Sequence, residues 1–178
     1  MDLTTLQQQL AGQQGKLPPV DLWSPDFCGD IDMQIKHDGS WHYMGTPMGR
    51  LALVKLFSSV LKKEADKYFL VTPVEKVGIQ VADSPFIVTQ WQQQDDMLIF
   101  TTQTDDSFVV SPSNPVELQH DKVSGDILPY ALVRRNLWAR IHQNVFYQLV
   151  DLGCQQDWQG ERHWVLTSGD YHFSLGAL

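Results

Sequence analysis

Cysteine, positive charge and long apolar runs are all scarce in this chain. Its two cysteines, Cys28 and Cys154, belong to no Cys-x-x-Cys pair, so we expect reduced thiols and not a disulfide-stapled scaffold. No stretch approaches the roughly 18 consecutive apolar residues of a membrane-spanning helix, and the Gln-rich N-terminus lacks the apolar run of a secretion signal. The sequence therefore predicts a cytoplasmic protein with no membrane partner.

Basic residues are outnumbered by acidic ones. The chain has 13 Lys and Arg against 21 Asp and Glu, which gives a net charge of −8 over 178 residues. Because an acidic protein repels polyanions, we expect no DNA or RNA partner. A single small phosphate-bearing ligand remains compatible with this charge, since its binding depends on a local pocket.

Catalytic and metal-binding motifs are absent from the sequence as well. The six histidines form no His-Glu-x-x-His motif and no Cys/His quartet. There is no P-loop, no dinucleotide-binding glycine pattern and no Gly-x-Ser-x-Gly elbow. We therefore expect no catalytic residue, no metal and no cofactor, and a binding protein is favoured over an enzyme.

What is present is a mixture of short strand patterns and two amphipathic helix patterns. The first helix is expected to start with Thr46 as cap and Pro47 next, and to end near Asp66. The second is expected to run from Asn136 as cap to Gly153 and to be buried on more than one side. Strand-like runs predict hairpins at 31–44, 86–102, 108–120 and 163–175, with further strands at 68–72, 77–81 and 130–133.

Two segments that follow the predicted helices resemble each other. Lys67–Pro73 and Arg162–Ser168 both read basic, aromatic, aromatic, aliphatic, aliphatic, Thr and a turn residue, although buried strands share such residues in any case. We predict an α+β fold of two similar strand–helix–hairpin units, a domain duplication, with a flexible arm at 1–19, a first unit at 20–84 and a second at 85–178. A cleft between two such units would be a favoured place for a ligand.

Three groups of polar residues are candidates for ligand binding, and each has a plainer interpretation. Arg50 lies at the start of the predicted first helix, where free N–H groups attract anions, although a plain capped helix is favoured there. Thr72, Glu75 and Lys76 put a hydroxyl, a carboxylate and an amine in one turn, and a solvated turn with a weak ion pair explains them about equally well.

The third group is basic and lies where the second helix is expected to begin. It consists of Arg134, Arg135 and Arg140, whose planar guanidinium groups suit phosphate or carboxylate recognition. For any one of these residues, an intramolecular salt bridge is the slightly favoured alternative.

Several runs of residues carry a resemblance to a known family. They are Asp38–Trp41 with Tyr43 and Gly45, Pro47–Arg50, Leu53–Phe57, Leu70–Lys76, Ser84–Phe86, Pro129–Tyr130 with Val133–Arg134, Val145–Tyr147 with Leu149–Val150, and Trp164, Ser168, Gly169, Phe173, Leu175 and Gly176. The Val-Thr-Pro-Val-Glu-Lys run after a helix is quite specific in this setting. Together these runs resemble an uncharacterised bacterial family, domain-of-unknown-function family 1285, from about Cys28 to Gly176.

The resemblance implies a domain duplication whose second unit is superficially similar to a pleckstrin-homology-type domain. The family has no established activity, and the resemblance implies a nucleotide-like ligand between the units and a signalling role. The candidate ligand-binding residues carried over to this sequence are Arg50, Thr72, Glu75, Lys76, Tyr130 and Arg134. Arg135, Asn136 and Asn144 stand where the family pattern often carries Gly or Pro, a departure that concerns the start of the second helix.

The leading hypothesis is a non-enzymatic small-ligand-binding protein with a signalling role. A nucleotide-like anion would lie between the units, with Lys76 and Arg134 on phosphate and Glu75 on a polar edge. One alternative is a protein-interaction adaptor that docks a signalling protein on an exposed apolar patch near Phe146 and Val150. A hydrolase of a phosphorylated metabolite is a third, less favoured hypothesis.

Overall fold

The protein, in a computed structural model that describes residues 3–11 and 17–178, consists of two compact units. The first unit ends at Ala82 and the second begins at Asp83. Strand accounts for 51% of the chain and helix for 15%, so the α+β class is confirmed, with strands far more prominent than the sequence patterns indicate. Among the described residues, no helix is long and apolar enough to cross a bilayer.

The first unit is built on a six-stranded sheet. Helix α1 (Leu3–Gln9) and a single 3-10 turn (Val20–Leu22) precede the sheet. Helix α2 (Leu51–Ser58) lies between the third and fourth strands in the chain. The strands are β1 (Phe27–Ile35), β2 (Trp41–Tyr43), β3 (Thr46–Pro47), β4 (Leu61–Glu64), β5 (Lys67–Val71) and β6 (Lys76–Val81).

The second unit contains a six-stranded sheet, one helix and a three-stranded sheet. The strands of the larger sheet are β7 (Phe86–Gln94), β8 (Met97–Thr102), β9 (Ser107–Val109), β10 (Val116–His120), β11 (Ile127–Arg134) and β12 (Leu137–Ile141). Helix α3 (Gln143–Val150) follows, and the chain finishes with β13 (Cys154–Trp158), β14 (Glu161–Ser168) and β15 (Tyr171–Ala177).

The two six-stranded sheets have the same strand topology. The order is β3-β2-β1-β6-β5-β4 in the first sheet and β9-β8-β7-β12-β11-β10 in the second. Each sheet joins two antiparallel three-stranded meanders through one parallel pair, β1 with β6 and β7 with β12. The repeated topology fits the predicted duplication.

The sequence echo that suggests the duplication does not coincide with this repeat. Lys67–Pro73 contains β5, whose topological equivalent is β11, whereas Arg162–Ser168 lies in β14. Strand β14 is the middle strand of the separate three-stranded sheet. Both segments are middle strands of antiparallel meanders that follow a helix, so their common pattern reflects similar burial.

The first predicted helix is wrong at both ends. Its expected start at Thr46 is strand β3, which pairs with β2 across a turn where Met44 and Gly45 have φ angles of 52° and 78°. Two consecutive positive φ values are typical of the tightest hairpin turns. Helix α2 begins after its N-cap Arg50, and the stretch towards Asp66 is strand β4, because pairing with β5 outweighs the helix propensity of its lysines.

The second predicted helix is wrong over its first half. Leu137, Ala139 and Ile141 are buried in strand β12, which lies between β11 and β7. A strand buried on both faces is nearly continuous in apolar residues, so its pattern is easily taken for the start of a buried helix. Helix α3 starts after His142, whose Nδ1 accepts a hydrogen bond from the backbone N–H of Asn144 at 3.1 Å.

The predicted cap at Asn136 lies instead in the turn between β11 and β12. Arg135 in this turn has a φ of 51°, a conformation for which glycine is the usual residue. Helix α3 buries Val145 and Leu149 and leaves Tyr147 60% exposed. It is therefore buried along one face, and not on several sides as the longer pattern indicates.

Three of the four predicted hairpins are confirmed, namely β1–β2, β7–β8 and β14–β15. The hairpin expected over 108–120 is wrong, since β9 pairs with β8 and β10 pairs with β11 at opposite edges of the sheet. A single bridge between Ser111 and Asn114 closes the connection between them. Local turn residues therefore locate the strands here, while the neighbours in the sheet decide the pairing.

Helix α1 lies in the segment for which a flexible arm is predicted. Its Leu6 is 1% exposed, and Leu10 just after it is 0% exposed. Seven residues are too few for a stable isolated helix, so burial of these two side chains holds α1 in place. Residues 1–2 and 12–16, which the same prediction covers, lie outside the described residues.

Candidate functional site

The turn between β5 and β6 is organised by the hydroxyl of Thr72, which is 0% exposed. The backbone N–H groups of Val74 and Glu75 donate to Thr72 Oγ1 at 3.3 and 3.0 Å. The N–H of Thr72 donates to the Glu75 carbonyl at 2.8 Å. Such side-chain bonds to the following backbone fix a tight turn, so this candidate residue shapes the site from within.

A side chain from α1, that of Gln9, is hydrogen-bonded to both Thr72 and Glu75 of this turn. The Thr72 hydroxyl donates to Gln9 Oε1 at 2.7 Å, and Gln9 Nε2 donates to Glu75 Oε2 at 2.6 Å. Gln9 is more than sixty residues away in the chain, in a segment that the sequence indicates as flexible. No local pattern could have identified it, because the contact exists only once α1 is docked.

Lys76, the first residue of β6, forms an ion pair with Glu64 of β4. Its ammonium donates to Glu64 Oε2 at 2.6 Å and lies 4.4 Å from the centre of the Phe69 ring. Lys62 is 3.5 Å from the other oxygen of Glu64. The hydrogen bond from Lys76 is the main cause that lowers the pKa of Glu64. Two cations thus share one carboxylate.

An exposed aromatic ring borders this group. Phe27 is 55% exposed, stands next to Lys76 in the parallel pairing of β1 with β6, and packs edge-on against Phe69 at a centroid distance of 5.8 Å. Beside it, Asp30 lies over Gly78, where any Cβ would overlap the carboxylate. We call Phe27, Phe69 and Lys76 the aromatic–lysine platform. Neither aromatic ring is among the ligand-binding residues predicted from the sequence.

Arg50 is not part of this arrangement. It is exposed at the N-cap of α2, and within the described residues its side chain has no hydrogen bond or ion pair. Within the described residues, Gln9 joins Thr72 to Glu75 and Glu64 is bonded to Lys76, whereas Arg50 is bonded to none of them.

Tyr130, in the second unit, belongs to a buried cluster around Asp83. Its hydroxyl donates to Asp83 Oδ2 at 2.8 Å, Arg140 Nη1 donates to the same oxygen at 3.0 Å, and the backbone N–H of Lys122 donates to Oδ1 at 2.9 Å. Burial, and then the hydrogen bond to Asp83, raise the pKa of Tyr130 far above its usual range. Tyr130, Asp83 and Arg140 are 2%, 4% and 7% exposed, so these polar groups are bonded to one another in the interior of the unit.

Arg134 is also engaged inside its unit. Its Nη1 donates to Asp106 Oδ1 at 2.6 Å, and the guanidinium lies 4.9 Å from the centre of the Phe86 ring. The hydroxyl of Thr104 donates to the other carboxylate oxygen of Asp106 at 2.5 Å. An arginine stacked on an aromatic ring and bonded to a held carboxylate cross-links β11 to the turn after β8.

The apolar patch predicted near Phe146 and Val150 is only partly exposed. The Val150 carbonyl accepts a hydrogen bond from Trp164 Nε1 at 2.8 Å, which ties this end of α3 to β14. Phe146 packs edge-on against Tyr147 at 5.9 Å, and Tyr147 is the more exposed of the two. The outward apolar surface of α3 therefore centres on Tyr147.

Comparisons with known proteins agree on one family. The sequence models of the N-terminal and C-terminal domains of DUF1285, a domain of unknown function, match residues 18–84 and 85–175. A search of curated proteins finds no match.

Two crystal structures of DUF1285 proteins are similar to this chain. One, from Silicibacter pomeroyi DSS-3, is 42% identical with a TM-score of 0.86, and the match covers 99% of this chain and 96% of that one. The other, from Shewanella baltica OS155, is 30% identical with a TM-score of 0.56, and the match covers 67% of this chain and 90% of that one. With both halves matched in sequence and the whole chain matched in structure, this protein belongs to the DUF1285 family.

Proposed function

We propose that this protein is a non-enzymatic small-ligand-binding protein with a signalling role, and that a nucleotide-like anion binds to its first unit. The ligand contacts the Thr72–Lys76 turn and the aromatic–lysine platform beside it. One observation carries the proposal: an ammonium and a half-exposed aromatic ring lie on two neighbouring strands, and a hydroxyl–carboxylate pair lies in the turn that leads into one of them. A phosphate, a base and a ribose or base edge need these three kinds of partner.

The charge distribution supports an anion at this place. The sequence segment 50–76, which includes the separate Arg50, contains six basic and three acidic residues, a charge of +3. The remainder of the chain then carries −11, since the total is −8. In an otherwise acidic protein such a segment attracts anions locally, and the low positive charge disfavours a long polyanion.

A phosphate that binds Lys76 has to replace Glu64 as its ion-pair partner. The Lys76 side chain is 19% exposed and that of Glu64 is 42% exposed, so Glu64 can move towards solvent more easily than Lys76. A phosphate that replaces the carboxylate keeps Lys76 paired and leaves Glu64 to water. The base then stacks on the exposed ring of Phe27, next to Lys76 in the sheet register.

Tyr130 and Arg134 have no place in this proposal. Both are buried or nearly so and are bonded to Asp83 and Asp106 within the second unit. Recruiting either for a ligand would take away one of the hydrogen-bond donors of a buried or half-buried carboxylate, which is costly inside a protein. We assign them to stability and place the ligand on the first unit alone. The signalling role, the pleckstrin-homology-type likeness of the second unit and the cytoplasmic location remain predictions from the sequence.

The test is a thermal-shift titration of the full chain with AMP, GMP, CMP and UMP. A ligand at about 100 times its Kd adds roughly 2.7 kcal/mol, and for a chain of this size each kcal/mol raises Tm by about 2–4 °C. We expect a shift with the wild type that is lost in Lys76→Glu. The control is Lys122→Glu, which makes the same charge change at an exposed position of the second unit and should keep the shift.

Each variant is compared with its own Tm without nucleotide, so a change in basal stability does not enter the result. Equal shifts in both variants would remove Lys76 from the site. The absence of any shift in the wild type would contradict nucleotide binding.

A further inference from the structure

The side chain of Gln9 contacts the Thr72–Lys76 turn in the way that a ligand would. Its carbonyl oxygen accepts from the Thr72 hydroxyl at 2.7 Å, and its amide nitrogen donates to the Glu75 carboxylate at 2.6 Å. The turn thus presents one donor and one acceptor side by side, and a single planar group satisfies both.

This arrangement specifies the chemistry of the group that fits it. Thr72 Oγ1 accepts the N–H groups of Val74 and Glu75. Its own proton can reach the Glu75 carbonyl at 3.4 Å within the turn, but Gln9 Oε1 at 2.7 Å is the much closer acceptor. The hydroxyl therefore donates mainly to a group from outside the turn. The Glu75 carboxylate, when ionised, can only accept. The partner must therefore offer an acceptor next to an N–H donor, which describes a carboxamide and also the hydrogen-bonding edge of a nucleobase.

We infer that the Thr72–Lys76 turn recognises such an acceptor–donor edge, and that Gln9 is its internal occupant, which an external ligand replaces. This inference rests on the proposed function, because it names the part of the ligand that the turn holds. The phosphate is left to Lys76 and the stacked ring to Phe27.

The anchoring of α1 is separate from this contact. Leu6 and Leu10 are buried, and they hold the helix whether or not Gln9 is bonded to the turn. Gln9 can therefore leave the turn by a change of side-chain conformation while the rest of α1 stays docked.

The experiment uses the full chain and two substitutions in the same helix. AMP, GMP, CMP and UMP are titrated by calorimetry into the wild type, Gln9→Ala and Gln8→Ala. Gln8 is exposed and loses the same atoms, so Gln8→Ala is the matched control. We expect Gln9→Ala to bind at least one nucleotide about tenfold more tightly than the wild type, because no internal group has to be displaced. Gln8→Ala should bind like the wild type.

Hydrogen exchange of the amides in α1 accompanies the titration. In the wild type, a bound nucleotide should leave the protection of α1 largely in place, since only the Gln9 side chain moves. Complete loss of that protection on binding would overturn the side-chain exchange.

The other outcomes separate the two proposals. Equal affinity of the wild type and Gln9→Ala, or weaker binding by Gln9→Ala, would overturn the internal occupant and leave nucleotide binding intact. If none of the four nucleotides binds any of the three proteins, the proposed function fails and this inference fails with it.

Discussion

At the scale of single residues, internal partners decide the roles of the candidate site. Thr72, Glu75 and Lys76 lie within one short stretch, yet each is bonded to another residue of the first unit. Arg134 is likewise bonded inside the second unit. Polar residues between apolar strands find partners because an unsatisfied buried polar group costs about 1–3 kcal/mol. A candidate list from sequence thus mixes residues with structural contacts, such as Arg134, with the residues that we propose for ligand binding.

Gly153 offers a residue-scale prediction about stability. A Cβ at this position would lie 2.6 Å from Trp164 Nε1 and 2.7 Å from Leu166 Cδ1, and the Trp164 ring is held by its bond to the Val150 carbonyl. We expect Gly153→Ala to destabilise the protein by about 1–3 kcal/mol, the usual cost of overpacking, measured by urea unfolding.

The matched control for this prediction is Gly49→Ala. No atom lies within 4 Å of a Cβ at Gly49, and its backbone conformation is open to any residue. The substitution should therefore be neutral or slightly stabilising. If both variants lost the same stability, the close approach of Gly153 to Trp164 would not be the cause.

At the scale of elements, the edge strand β4 combines structural protection with charge. Its lysines lie at the end of the sheet order, where charged side chains discourage pairing with another chain. Glu64 in the same strand neutralises Lys76 of β6 across β5. Strand β4 thus discourages association of the sheet edge with another chain. Through Glu64 it also competes for Lys76, the cation that we assign to a phosphate.

Glu64→Gln separates these two effects. The folded protein lowers the pKa of Glu64 below its ordinary value of 4.5, so its ion pair contributes stability above that pH and loses the contribution as pH falls through the lowered pKa. Because Glu64 is largely solvated, we expect a cost below about 1 kcal/mol at pH 7. The stability of the variant should also fall less steeply than that of the wild type below about pH 4.5.

The same variant should bind the nucleotide more tightly, since Lys76 no longer has a carboxylate to exchange. Calorimetric titration of the wild type and Glu64→Gln measures this, with Glu117→Gln in the second unit as a charge-matched control. If Glu64→Gln bound the nucleotide no more tightly than the wild type, phosphate would not take the place of this carboxylate.

At the scale of the whole molecule, an acidic protein carries a basic segment, residues 50–76, that contains Lys76 and the Thr72–Lys76 turn. An anion at the proposed site would be attracted by the net charge of +3 on residues 50–76 and repelled by the net charge of −11 on the remainder of the chain. Salt screens both the attraction and the repulsion. It weakens the interaction with Lys76 less than the interactions with more distant charges, because the Lys76 side chain is partly shielded from solvent. We therefore expect residues 50–76, and not the net charge of the protein, to decide whether an anion can bind at the proposed site.

Ionic strength tests this balance. Between about 0.1 M and 1 M salt the screening length falls from roughly 10 to 3 Å, so we expect nucleotide affinity to decrease several-fold while binding remains measurable. Titrations at several salt concentrations give the dependence. Affinity that rises with salt would mean that repulsion by the acidic remainder dominates over attraction by residues 50–76.

The sequence by itself determined the class, the family and most of the strands. Period-two patterns and turn residues such as Asp38-Gly39 specify local conformation, and these signals need no distant partner. The Val-Thr-Pro-Val-Glu-Lys run pointed to the family, and its first polar residue does shape a turn. Local chemistry therefore predicted what local interactions control.

Tertiary structure alone decided the lengths of the helices, the pairing of β9 and β10, and the partners of the bonded candidate residues, which are Thr72, Glu75, Lys76, Tyr130 and Arg134. Leu137 to Ile141 became a strand because the centre of a sheet accepts apolar side chains on both faces, and the same residues would suit a buried helix. Gln9 met Thr72 and Glu75 only because Leu6 and Leu10 bury α1 against the first unit. Contacts between residues far apart in the chain form when burial brings their elements together, and a local sequence pattern does not specify which distant elements will pack together.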